Sequence, residues 1–136
     1  MSWDAYVKSL EDGSAKCTYA GIYGRQGGCW AESENKSTFN ITQEQISQAV
    51  NIISTGDQSV YGNGITLGQA KFTCLKLDVD SLLLQGKSPD WNDYSLVISL
   101  TATGVIIGLN HTPEVKTQTV CTAVEGMKDY LKNVGY

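Results

Sequence analysis

The chain has 136 residues, a net charge of −4, a pI near 4.8 and a hydrophobic fraction of 41%. It is too apolar for a disordered chain, and its length suits a single domain over residues 1–136. The acidic balance argues against nucleic-acid binding, and no apolar run approaches the length of a transmembrane helix.

Four scattered cysteines (Cys17, Cys29, Cys74 and Cys121) form no C-x-x-C pair. No basic stretch followed by an apolar one opens the chain, so no secretory signal is expected. Together these predict reduced, mostly buried thiols and a cytoplasmic setting. His111 is the only histidine and nothing has ligand spacing, so neither a metal nor a cofactor is expected.

In chain order, Ser2 is placed to cap a first helix, with Asp4 favoured by the helix dipole in its first turn. Trp3, Tyr6, Val7 and Leu10 recur at helical spacing on one side, and Asp12-Gly13 ends the run. Residues 17–23 read as a strand, Gly24-Arg25-Gln26-Gly27-Gly28 as a turn and residues 29–31 as the returning strand. Asn40 or Thr42 caps a second helix, with Glu44 or Gln45 completing a capping box and Ile46, Ala49, Val50 and Ile53 on its apolar face. Thr55-Gly56-Asp57 closes it.

Residues 60–64 lead through the turn dipeptide Asn63-Gly64 into 65–68. Residues 71–79 alternate as a strand, 81–85 are a further strand, and 86–93 a polar turn. Strands at 94–100 and 105–109 are joined by 101–104. Pro113 and Glu114 open the last segment, a helix with Val120, Ala123 or Val124, Met127 and Leu131 on its apolar face. The predicted fold is α/β of the α+β type. A central antiparallel β-sheet is sandwiched by helices, and the N- and C-terminal helices pair on one face.

A catalytic reading finds little to work with. His111 and Cys121 lack any accompanying nucleophile signature, and Asp78 with Asp80, like Asp90 with Asp93, read as solvated charges. No enzyme activity is expected. The aromatics are more informative. Trp3, Tyr6, Trp30, Tyr130 and Tyr136 fall at the ends or turns of elements. One reading is a small core between the terminal helices. The other is a groove for a polyproline II ligand, which has little entropy left to lose and offers carbonyls to indole and phenol donors.

The chain resembles the profilins along nearly its whole length. The resemblance is carried by Ser2-Trp3-Asp4-Ala5-Tyr6-Val7, Trp30-Ala31, Asn63-Gly64-Ile65-Thr66-Leu67-Gly68 followed by Lys71, Val105-Ile106-Ile107-Gly108, Asp129-Tyr130-Leu131 and Gly135-Tyr136. It implies regulation of actin filament assembly in the cytoplasm and cytoskeleton through two surfaces. One takes proline-rich proteins such as nucleation or elongation factors, through Trp3, Tyr6, Trp30, Tyr130, Leu131 and Tyr136. The other takes monomeric actin, through Tyr61, Lys71, Thr73, Leu75, Lys76, Val115 and Lys116. Phosphoinositides are a further partner the resemblance implies. The alternative is an α-β-α scaffold that binds polyproline or a small ligand without strong actin binding. In two places the chain departs from the family pattern. Thr117-Gln118-Thr119-Val120-Cys121 stands where a Gly- and Asn-rich stretch is common, and 86–93 holds a single lysine, Lys87.

Overall fold

A computed structural model describes residues 3–13, 17–25, 27–33, 41–68, 70–87, 94–110 and 117–136. Its elements are α1 (Trp3–Asp12), β1 (Tyr19–Gly24), β2 (Cys29–Glu32), α2 (Gln43–Thr55), α3 (Val60–Asn63), β3 (Ile65–Leu67), β4 (Ala70–Leu77), β5 (Ser81–Gly86), β6 (Ser95–Leu100), β7 (Gly104–Asn110) and α4 (Thr117–Asn133). The strands form one antiparallel sheet in the order β2-β1-β7-β6-β5-β4-β3. The pairing of β1 with β7 closes the centre of the sheet between distant parts of the chain.

Alternation along the strands divides the core in two. Tyr19, Phe72, Leu84, Ile98 and Ile107 face α2 and α3, where they meet Ile46, Ala49, Ile53 and Val60. Ala20, Ile22, Val97 and Ile106 face the other way, against Val7 and Leu10 of α1 and Val120, Val124 and Leu131 of α4. The terminal helices therefore share one face of the sheet, and of the two residues weighed at 123–124 it is Val124 that is buried. Gly108 lets α4 approach, since a Cβ there would lie 2.9 Å from a Val124 methyl.

Local chemistry sets the helix ends. Thr42 and Gln45 form the capping box of α2, and Gly56 ends that helix at φ 65°. The Ser2 cap lies outside the described residues, as do residues 34–40, 88–93 and 111–116 with His111, Pro113 and Glu114. Residues 60–64 differ from the sequence reading. They form the short helix α3, and Gly64 stops it at φ 66° before β3 begins. Strand β4 ends at Leu77, short of Val79, because the Asp78 N–H donates to the Ser81 carbonyl and turns the chain there. Asp80 is correspondingly not a solvated strand charge. It sits in this turn and accepts from Lys128 of α4 at 3.0 Å.

Two β-bulges interrupt the alternation. In β2 the partner of Ile22 is Ala31 and that of Tyr23 is Cys29, which leaves Trp30 as the extra residue. In β4 the same irregularity leaves Leu75 between Cys74 and Lys76. A bulge re-aims a side chain and breaks the period of two.

Candidate functional site

The aromatic patch is assembled from three remote segments. On α1, Val7 and Leu10 point into the core, which leaves Trp3 and Tyr6 half-buried at its rim. The bulge in β2 turns Trp30 onto the same face, beside Ala31, where it packs with α1. Without the extra residue Trp30 would lie on the α2 side. Gly24 and Gly104 admit the indole from behind: a Cβ at Gly104 would sit 2.9 Å from Trp30 Cζ3, and one at Gly24 3.3 Å from Nε1. Tyr130 and Tyr136 come from α4 and the residues after it.

The rings form one contiguous set. Trp3 lies 4.8 Å from Trp30 and meets Tyr136 edge-on at 4.8 Å, and its indole is 5.5 Å from Tyr6. Tyr6 in turn is 5.7 Å from Tyr130, and Trp30 is 6.1 Å from Tyr136. Hydrogen bonding to Tyr130, then desolvation, pushes the Tyr6 phenol above its ordinary pKa. Tyr130 and Tyr136 keep 45% and 43% of their surface exposed. The patch is therefore too open to be a core, yet too contiguous to be scattered surface aromatics. Leu131 is fully buried and supports the patch from beneath.

Main-chain bonds fix the Tyr136 side of the patch. Tyr136 N–H donates to the Leu131 carbonyl at 2.8 Å, and the Thr103 N–H donates to the Tyr136 main-chain oxygen at 2.9 Å. The sequence carries no sign of this tie to the β6–β7 turn. It also carries none of the anchor under α4. There the buried Lys128 ammonium pairs with Glu125 and Asp80, and Lys132 reaches Asp80 at 3.4 Å. Burial pushes the Asp80 carboxyl up, but the bonds and charges of Lys128 and Lys132 outweigh it and leave the pKa below the ordinary value. On the far side, β2 is tied to β1 by Glu32, which accepts from Tyr19 at 2.9 Å and lies 3.1 Å from the Tyr23 hydroxyl. The two phenols also bond each other. Burial is the main reason both titrate well above the usual phenol range.

The second candidate surface runs along β4. Helix α4 packs over β6 and β7 and leaves the outer face of β4 open. Lys71 is exposed there and Thr73 half-buried. Leu75 continues this face by alternation and is 50% exposed; the bulge adds Lys76, itself paired with Asp78 at 3.4 Å, to the same face and returns Leu77 to the core side. Strand β3 pairs only with Ala70–Phe72 of β4 in register, so among the described residues no strand covers the rest of that edge. Tyr61 covers part of it, its hydroxyl accepting from the Leu77 N–H at 2.8 Å. Val115 and Lys116 lie outside the described residues.

All four cysteines are free; Cys17 and Cys74 are buried, Cys121 is half-buried and Cys29 is exposed. Desolvation pushes the Cys17 thiol up to about 12, which keeps it unreactive. No helix among the described residues is long and apolar enough to cross a membrane, and no cluster of His, Cys, Asp and Glu there could hold a metal ion.

An α+β layer fold with an open aromatic patch built from both terminal helices defines a binding module. The profilin family model matches residues 1–136. A profilin of Drosophila melanogaster is 30% identical over 138 residues, covering 100% of both chains. Among solved structures, Acanthamoeba castellanii profilin IA superposes with a TM-score of 0.80 at 24% identity, over 99% of this chain and 100% of that one. Mouse profilin IIa, solved in complex with a double repeat from the FH1 domain of mDia1, gives a TM-score of 0.81 at 22% identity over 100% of each chain. The chain belongs to the profilin family. Profilins are actin-binding regulatory proteins and not enzymes.

Proposed function

We propose that the chain acts as one domain that binds monomeric actin through the β4 surface and proline-rich segments through the aromatic patch, and so regulates actin filament assembly in the cytoplasm. The observation that carries the proposal is the partly open patch of Trp3, Tyr6, Trp30, Tyr130 and Tyr136, contributed by three separate parts of the chain. Polyproline II rises about 3.1 Å per residue, so a strip of rings spaced this way suits about five residues of ligand. Tyr and Trp fit the task because each joins a flat apolar face to one polar handle.

For actin, support comes from family membership and from an exposed strip, Lys71, Thr73, Leu75 and Lys76, bordered by Tyr61. Phosphoinositides enter the proposal only through Lys71 and Lys76. The second of these is already paired with Asp78, so each lysine contributes at most about 1 kcal/mol at an anionic membrane. Calorimetric titration with decaproline, followed by an actin-monomer sequestration assay, tests the two surfaces separately. Saturable decaproline binding and sequestration weakened by Lys71→Glu are expected. No heat with decaproline would remove the first surface, and undiminished sequestration by Lys71→Glu would remove the second.

A further inference from the structure

Arg25 is the chain's single arginine and lines cavities that also touch Trp30 and Tyr136, at the end of the sheet between the patch and α2. Its main-chain N–H donates to the Thr103 carbonyl at 2.9 Å, while the Thr103 N–H donates to Tyr136. One residue thus links Arg25 to the Trp30–Tyr136 end of the patch. Two cavities meet at Arg25. One, of about 550 Å³, extends to Tyr136 and Lys132; the other, of about 590 Å³, extends to Trp30.

Among the described residues the guanidinium is held by neutral groups. Nη1 donates to the Thr101 carbonyl at 3.0 Å and Nη2 to Ser54 Oγ at 3.2 Å. A guanidinium has more N–H donors than these two bonds use, arranged as a fork that matches a carboxylate. No carboxylate pairs with it among the described residues. Asp80 lines the first cavity, but Lys128 and Lys132 already engage its carboxylate. A positioned, half-buried cation therefore adjoins the patch in a chain whose net charge is −4.

We propose that Arg25 binds a carboxylate on the proline-rich ligand itself, so that the protein favours proline runs flanked by an acidic residue. This rests on the aromatic patch being a polyproline groove, as proposed above. Because the two cavities adjoin Trp30 and Tyr136, a ligand that runs past these rings brings the residues flanking its proline run towards Arg25. Apolar stacking supplies the shared affinity, and Arg25 supplies the discrimination between proline-rich partners.

The test is calorimetry with decaproline peptides carrying Asp-Asp, Ser-Ser or Lys-Lys, appended to each end in turn. The Asp peptide should bind about three- to fivefold more tightly than the Ser peptide at one end, and the Lys peptide more weakly than either. The gap should close at about 0.5 M salt and in Arg25→Gln, and should partly persist in Arg25→Lys. If Arg25→Gln does not fold, Arg25→Lys and Lys132→Gln assign the gap: the first should narrow it, and the second, which removes the other cation lining the first cavity, should leave it in place, the reverse overturning the proposal. Equal binding of Asp and Ser peptides at both ends would overturn the proposal. So would a gap that survives Arg25→Gln, or Arg25-dependent binding to phosphoinositide vesicles with no Asp–Ser gap. Failure of every peptide to bind would instead remove the groove reading, and this proposal with it.

Discussion

Trp3→Ala separates packing from binding at the aromatic patch. The Trp3 indole meets three other rings, Tyr6, Trp30 and Tyr136. Aromatic pairs are worth about 0.5–1.5 kcal/mol each beyond the area they bury, and the half-buried Trp3 puts these at the lower end. Truncation should therefore cost about 2 kcal/mol of stability, a fall in Tm of roughly 6–10 °C for a domain of this size. Helix α1 survives because Val7 and Leu10, each nearly inaccessible, hold it to the sheet. Binding should suffer at least as much as folding. An aromatic at the centre of an interface costs about 2 kcal/mol or more when removed, which is about thirtyfold in decaproline Kd. Circular dichroism melts and calorimetric titration on the same sample read both quantities. A variant that loses stability as expected but binds decaproline within threefold of the parent would show that Trp3 is packing only and refute the groove.

The anchor under α4 gives a second prediction. Asp80→Asn leaves the buried Lys128 with Glu125 alone and should cost about 1–2 kcal/mol in denaturant unfolding. Because the Asp80 pKa is lowered on folding, its stabilisation is complete above the ordinary aspartate range and is lost as pH falls below about 4. Asp80→Asn should flatten that part of the stability–pH curve, and an unchanged acid limb would contradict the assignment. Gly104→Ala places a methyl 2.9 Å from the Trp30 ring. It should displace the indole, weaken decaproline binding severalfold and cost about 1–2 kcal/mol; an unaltered titration would show that the ring position does not matter. Removing Gly135-Tyr136 takes away one ring and the bond to Thr103, while Leu131 stays in the core. Decaproline binding should fall about tenfold or more with a Tm change of only a few degrees, and the reverse pattern would assign Tyr136 to folding.

Much of this was legible along the chain because it depends on neighbours. The capping box of Thr42 and Gln45, the stop at Gly56 and the apolar stripes of α1, α2 and α4 are local, and the structure follows them. Residues 60–64 misled because Asn63-Gly64 suits a helix stop as well as a hairpin turn. Position 79 misled because Val79 continues a strand pattern that the Asp78–Ser81 turn has already ended, and it is 89% exposed. The aromatics could be picked out by type and place. That the terminal helices gather them was expected; the ring-to-ring geometry was not, since Trp30 and Tyr136 lie 6.1 Å apart in space and far apart in the sequence.

By itself the sequence determined most of the helices and strands, which faces are apolar and which residue types are available for recognition. Periodicity and capping act over a few residues and need nothing else. The tertiary structure alone decided where the recognising side chains point. Two bulges, each an extra residue visible only against its partner strand, turn Trp30 towards α1 and set Lys76 beside Leu75 on the open face of β4. The sheet closure through β1 and β7 brings α1 beside α4, and a buried lysine with a main-chain bond at Thr103 holds the far half of the patch in place. These are pairings between residues distant in the chain, and no local pattern encodes them.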